Sequence, residues 1–83
     1  MKVKVKLFAL LEDYLPVGAR NNEVEMEVVA GTTAAAIVKR LNLPAELCHL
    51  VLLNGNYLEP GERGSRPLAA DDVLAIWPPI AGG

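Results

Sequence analysis

The order of secondary-structure signals predicts an α+β domain, in which one main helix covers one face of a small mixed sheet. Two early stretches alternate between charged and apolar residues, which is typical of strands with one buried face. One helical stretch follows, and further strand signals surround an Asn-Gly pair. With 83 residues, the chain is long enough for one domain and one core.

The first two predicted strands, residues 2–7 and 23–29, carry opposite charges. Their outward positions are Lys2, Lys4, Lys6, Glu23, Glu25 and Glu27. Opposite charges across an antiparallel ladder contribute roughly 0.2 to 1 kcal/mol per pair, so they set the register more than the stability. We therefore expect the two strands to pair antiparallel. The alternative is that all six charges are simply solvated.

The main helix is predicted over residues 33–41, where apolar residues recur at helical spacing. Thr32 is the expected N-cap, because its hydroxyl can accept a backbone N–H from the first turn. Lys39 and Arg40 suit the last turn, where they oppose the negative end of the helix dipole. Pro44 follows shortly after and prevents the helix from continuing.

Three short strands are predicted after the helix. The apolar run at residues 50–53 leads into Asn54-Gly55, a pair that favours a type I′ hairpin turn, and residues 56–58 form the return strand. Residues 72–77 form the last strand. A late strand lying parallel beside the first gives a roll of the ubiquitin-like β-grasp kind, which is the predicted fold of residues 1–79.

Composition argues against several functional classes. The chain is 52% hydrophobic, which is too apolar for a disordered protein, and its net charge of −2 comes without the basic patch that nucleic-acid binding needs. No apolar stretch approaches the ~20 residues that span a bilayer, so we expect no membrane partner. One Cys and one His are too few for a closed zinc site, so no metal is expected. The expected location is cytoplasmic, because the first residues show no signal-type apolar run.

The other chemically active side chains are expected to be structural. Cys48 and His49 suggest a nucleophile and a base, but neighbours on an extended chain point to opposite faces and no third group orients the base. Cys48 is therefore expected to be buried and His49 to lie at or near the surface. Asp71 and Asp72 suit a turn, and Arg63 is expected to be an ordinary exposed loop residue.

An exposed apolar patch is expected on the uncovered face of the sheet. Tyr57, Leu58 and Trp77 are the predicted members and are expected to lie close together on that face. On a small domain such a patch usually marks a site for a partner protein.

The end of the sequence carries the clearest functional signal. Pro78 and Pro79 stop the last strand and favour an extended chain, and Ile80 and Ala81 follow them. Gly82-Gly83 has no side chains, so the terminal carboxylate suits a narrow channel in another protein. We expect residues 80–83 to be a flexible tail that serves as a substrate. The alternative is an ordinary frayed terminus.

The ending Ala-Ile-Trp-Pro-Pro-Ile-Ala-Gly-Gly, residues 75–83, resembles that of the molybdopterin synthase small subunit, a ubiquitin-like sulfur carrier of the MoaD–ThiS type. The segments Val-Lys-Leu-Phe-Ala at 5–9, Val-Leu-Leu-Asn-Gly at 51–55 and Pro-Leu at 67–68 are also similar to that family. The resemblance covers essentially the whole chain. Trp77 stands where the family usually has Phe, and Ala70-Asp71-Asp72 replaces the usual Asp-Gly-Asp turn.

The resemblance implies a sulfur carrier rather than an enzyme. An E1-like enzyme would use ATP to adenylate Gly83, and a sulfurtransferase would convert it to a thiocarboxylate; no cofactor is expected on the chain itself. The tail would then enter a molybdopterin synthase large subunit and give its sulfur to a pterin precursor of the molybdenum or tungsten cofactor. The residues implied in partner contact are Trp77, Pro78, Pro79, Ile80, Ala81 and Gly82, and the predicted patch adds Tyr57.

Three alternatives remain open from the sequence. The same thiocarboxylate would serve thiazole (thiamine), cysteine or another sulfur pathway, although thiazole carriers tend to begin with an early x-Asn-Gly-x turn that this chain lacks. As a protein tag, the chain would link Gly83 to a target lysine. As a plain interaction domain, it would lose nothing when Gly82-Gly83 is deleted.

Overall fold

The structure is a computed structural model that describes residues 1–79. Its elements are β1 (Lys2–Leu7), β2 (Glu23–Glu27), α1 (Ala34–Arg40), β3 (Leu50–Leu53), β4 (Asn56–Tyr57) and β5 (Val73–Trp77), with 3₁₀ turns at Ala9–Tyr14, Ala45–Leu47 and Pro60–Glu62. The sheet order is β2-β1-β5-β3-β4, with β1 and β5 parallel and the other neighbours antiparallel. The predicted ubiquitin-like β-grasp fold is confirmed. No helix within residues 1–79 is long and apolar enough to cross a membrane.

The charge pattern of the first two strands correctly predicts their pairing. The antiparallel register places Lys2 opposite Glu27, Lys4 opposite Glu25 and Lys6 opposite Glu23. β2 nevertheless ends at Glu27, two residues before the predicted end. The chain turns there, because the carbonyl of Val29 accepts the N–H of Thr32 at 3.2 Å.

The N-cap of α1 is Thr33, so the prediction of Thr32 is wrong. The hydroxyl of Thr33 accepts the N–H of Ala36 at 3.2 Å, and the helix begins at Ala34. The hydroxyl of Thr32 instead donates to the carbonyl of Val29 at 2.7 Å. Thr32 is thus engaged in the turn before the helix, which moves the cap one residue along.

The core lies between α1 and the face of the sheet that α1 covers. Alternation along each strand sends one set of side chains inward. The largest side chains that are fully buried are Val3, Val5, Leu7, Leu11, Ile37, Val51, Leu58, Leu74 and Ile76. β1, β3 and β5 supply most of them, so the three central strands share a single core with α1.

Asn54 both makes the hairpin turn and fixes the start of β5. Asn54 and Gly55 have φ values of 52° and 85°, as a type I′ turn requires. The Asn54 side chain accepts the N–H of Val73 at 2.8 Å and donates to Asp72 at 2.9 Å. The other carboxylate oxygen of Asp72 accepts the N–H of Ala69 at 2.8 Å, which confirms its predicted turn role.

Candidate functional site

The sheet face turned away from α1 has a charged half and an apolar half. The charged half comprises the lysines of β1 and the glutamates of β2. On β5, β3 and β4, the register places Leu50 beside Trp77, and Leu52 beside both Ala75 and Tyr57. Together with Phe8 these residues form what we call the outer apolar patch: Phe8, Leu50, Leu52, Tyr57, Ala75 and Trp77.

Trp77 is the last residue of β5 and is held from two sides. Its ring stacks on that of Phe8, with the centroids 4.0 Å apart and the planes 4° from parallel. Its carbonyl accepts the N–H of His49 at 3.0 Å. Sequence reasoning missed Phe8, although this residue continues the outward positions of Lys2, Lys4 and Lys6 and was therefore predictable from the same period of two.

Tyr57 is an exposed member of the patch, but Leu58 does not belong to it. Tyr57 is 48% exposed, whereas Leu58 is 1% exposed and packs in the core. Successive side chains along an extended chain point to opposite faces, so these two neighbours cannot share one. The prediction that placed Leu58 in the patch was wrong for this reason.

Arg63 is a half-buried hydrogen-bond donor rather than an ordinary exposed loop residue. Its guanidinium donates to the carbonyls of Leu58 at 3.1 Å, Cys48 at 3.0 Å and His49 at 3.4 Å, and to the hydroxyl of Tyr57 at 3.4 Å. It also lies 5.8 Å from the centroid of the Tyr57 ring. These acceptors belong to two separate segments, residues 48–49 and 57–58, and no local pattern around Arg63 identified them.

The patch leads directly into the C-terminal segment. β5 is held by β1 on one side and β3 on the other, and its last residue is Trp77. Of the two prolines that follow, Pro78 is buried and Pro79 is exposed. Pro79 is thus the first residue after β5 at the surface. The predicted site residues Ile80, Ala81, Gly82 and Gly83 lie outside the described residues.

Cys48 and His49 form no catalytic pair. Cys48 is 8% exposed, and its thiol donates to the carbonyl of Pro44 at 3.5 Å. Burial raises the pKa of the Cys48 thiol above its ordinary value of 9.0, which keeps it protonated and unreactive at neutral pH. His49 is exposed, as predicted. Within residues 1–79 no cluster of three or more His, Cys, Asp or Glu residues is placed to hold a metal ion.

The model of the ThiS family matches residues 5–83. Among solved structures, SAMP1 of Haloferax volcanii is 28% identical, with a TM-score of 0.67 over 100% of both chains. A putative molybdopterin converting factor subunit 1 of Pyrococcus furiosus is 22% identical, with a TM-score of 0.69 over 95% of this chain and 98% of that one. A chain from the complex of molybdopterin-converting factor subunits 1 and 2 of Helicobacter pylori is 21% identical, with a TM-score of 0.62 over 100% of both chains. No curated protein sequence matches the chain.

Proposed function

The chain belongs to the ThiS family of small ubiquitin-like sulfur carriers and modifiers, and from this we propose that it carries sulfur for molybdopterin synthesis. It would act as the small subunit of a molybdopterin-synthase-like complex. One observation carries the proposal: the outer apolar patch ends at Trp77, immediately before the Pro-Pro and Gly-Gly segment. A partner bound to this patch would therefore lie next to the start of the C-terminal segment that it receives.

The chemistry belongs to the terminal carboxylate of Gly83. An E1-like enzyme joins this carboxylate to the AMP portion of ATP and releases pyrophosphate. Sulfide then displaces AMP and leaves a thiocarboxylate. A sulfurtransferase persulfide would instead displace AMP to form an acyl disulfide, and a thiol would reduce its S–S bond to release the thiocarboxylate. The chain supplies a covalently held reagent, while ATP and the catalytic groups belong to its partners. Gly82 and Gly83 fit this role because they add no side chain that would clash with a narrow channel.

The outer apolar patch is the proposed contact for the large subunit. Leu50 is 37% exposed and Tyr57 48% exposed, so a partner that covers them removes apolar surface from water. Trp and Tyr are among the residues that most often dominate the energy of protein interfaces. The H. pylori relative is described as part of a complex of subunits 1 and 2, which supports a partner of the same kind for this chain.

The similarity to SAMP1 favours a second candidate function. A structure described as small archaeal modifier protein 1 of H. volcanii is 25% identical to the chain, and the match covers 95% of the chain. As a modifier, activated Gly83 would be attacked by a lysine amine of a target protein, which forms an isopeptide bond and releases AMP. Both functions begin with the same activated glycine and differ only in the nucleophile.

The test is the mass of the C-terminal fragment after the protein is incubated with its E1-like enzyme, ATP and sulfide. We expect the fragment to gain the mass of one oxygen replaced by sulfur, and to gain nothing when ATP is withheld or Gly83 is deleted. The fragment must be separated from the methionines, because methionine oxidation gives a similar mass gain. An unchanged fragment would contradict the carrier. Gly83 found linked to a target lysine would establish the modifier function.

A further inference from the structure

We propose that Arg63 is a positioning residue of the outer apolar patch, which holds Tyr57 and Trp77 in the arrangement that a partner meets. The inference rests on the proposed function, because the patch has a role only where a partner binds it. Arg63 itself is not a member of the patch. It reaches the patch from the loop after β4, and this loop is hydrogen-bonded to the first turn of α1.

The contact with Tyr57 is direct and has two parts. The guanidinium donates to the Tyr57 hydroxyl at 3.4 Å and lies 5.8 Å from the ring centroid. The same group donates to the carbonyl of Leu58 at 3.1 Å, so the backbone that follows Tyr57 is held as well. β4 has only two residues and lies at the edge of the sheet. An exposed ring on so short a strand would otherwise sample several rotamers, and fixing it beforehand lowers the entropic cost of binding.

The effect on Trp77 passes through the backbone before β3. Arg63 donates to the carbonyls of Cys48 at 3.0 Å and His49 at 3.4 Å. The N–H of His49 in turn donates to the carbonyl of Trp77 at 3.0 Å. One side chain therefore acts on the aromatic residues that end β4 and β5, of which Tyr57 is exposed and Trp77 half-buried.

The backbone of Arg63 is anchored where the side chain begins. Its carbonyl accepts the N–H of Ala35, in the first turn of α1, at 2.7 Å. Glu59 and Glu62 form a capping box around the 3₁₀ turn that precedes Arg63. The backbone of Arg63 is therefore fixed, so its guanidinium can hold other groups in place.

Lysine cannot replace Arg63 in this role. The guanidinium is a planar fork with five N–H donors, and here it serves four acceptors that lie in different directions. A lysine ammonium keeps the positive charge but is a single point with three donors. The substitution Arg63→Lys therefore removes the planar set of N–H donors but keeps the positive charge.

The first test measures how tightly the large molybdopterin synthase subunit of the same organism binds Arg63→Lys. We expect the dissociation constant to rise about tenfold in the otherwise native chain, and about threefold when Tyr57 is already Ala, because only the path through His49 then remains. Arg66→Lys is the matched control on the same loop, since Arg66 is exposed and, within residues 1–79, forms an ion pair with Glu62 at 3.9 Å. It should change binding less than about twofold. An equal loss from Arg63→Lys in both backgrounds would mean a general structural role and would overturn the proposal.

The second test needs no partner, so it separates this inference from the proposed function. Trp77 is the only tryptophan of the chain, and its quenching by acrylamide reports how well the Phe8 stack and the end of β5 are held. Relaxation of isotope-labelled Tyr57 reports the motion of that ring. Arg63→Lys should increase both the quenching of Trp77 and the motion of Tyr57, with α1 amide exchange unchanged, and Arg66→Lys should increase neither.

The outcomes separate the two proposals. If the native chain does not bind the large subunit but Arg63→Lys frees Tyr57, the proposed function fails and Arg63 still positions the patch. If neither signal changes, Arg63 is not a positioning residue.

Discussion

The two halves of the uncovered sheet face have the same backbone geometry and opposite chemistry. In the charged half, each lysine of β1 lies opposite a glutamate of β2, and Lys4 approaches Glu23 to 3.4 Å. In the apolar half, Tyr57 and Leu50 remain 48% and 37% exposed. Covering the charged half would strip water from charged side chains, which costs free energy, whereas covering the apolar half gains about 25 cal/mol per Å². The chemistry of the surface, rather than its shape, therefore favours the apolar half as the site of the proposed partner.

The largest effect is expected where the apolar half meets the core. Leu58→Ala should lower the free energy of unfolding by about 2 to 5 kcal/mol, because it leaves a cavity among fully buried side chains. Tyr57→Ala, one residue away on the opposite face, should cost about 1 kcal/mol or less. Urea denaturation of both variants measures the difference. Equal losses would show that Tyr57 and Leu58 are not divided between surface and core.

Trp77→Ala should produce the largest loss of binding within the outer apolar patch. We expect the dissociation constant for the large subunit to rise about 100-fold, since a tryptophan is among the residues that commonly carry more than 2 kcal/mol at an interface. Trp77→Phe keeps an aromatic ring to stack on Phe8 and should recover most of the affinity. Lys4→Ala, in the charged half, should change binding less than about threefold. Calorimetry measures both dissociation constants. If Lys4→Ala weakens binding as much as Trp77→Ala does, the partner does not bind the apolar half alone and the assignment is wrong.

A smaller effect is expected when the charge order of the charged half is broken. Glu25→Lys places a lysine directly opposite Lys4 and should destabilise the fold by about 0.5 to 1 kcal/mol at low salt. The double exchange of Lys4→Glu with Glu25→Lys restores opposite charges at this position and should recover part of the loss, since it also removes the approach of Lys4 to Glu23. High salt should reduce the difference between the single and the double variant. If the double exchange recovers nothing, the charges do not contribute to the register.

The smallest effect concerns pH at the end of the charged half. The N-terminal ammonium donates to Glu27 at 2.7 Å, and this hydrogen bond and charge lower the pKa of Glu27 below its ordinary value of 4.5. Because the pKa of Glu27 is lower in the folded chain than in the unfolded chain, its interaction with the ammonium stabilises the fold above about pH 4.5. This stabilisation is lost as the pH falls through the folded-state pKa of Glu27.

Thermal unfolding between pH 6 and pH 3 compares the native chain with Glu27→Gln. We expect the native chain to lose more stability over this range than the variant, which has no carboxylate to protonate. Identical profiles would mean that the ion pair between Glu27 and the N-terminal ammonium contributes nothing to folding.

The sequence by itself determined the features that depend on neighbours along the chain. Alternation placed the first two strands and their charge register, and Asn54-Gly55 placed the hairpin. These signals are local because a strand repeats every two residues and a tight turn needs positive φ at known positions.

Only the tertiary structure decided which distant groups meet. The stack of Phe8 on Trp77 and the contacts of Arg63 with Cys48, His49 and Tyr57 join segments separated along the chain, and no local period encodes them. The N-cap moved to Thr33 for a related reason: which of two adjacent threonines caps the helix depends on the turn that precedes it. Periodicity tells which side of a strand a residue faces, but its partner across the molecule is set by how the strands are ordered in the sheet.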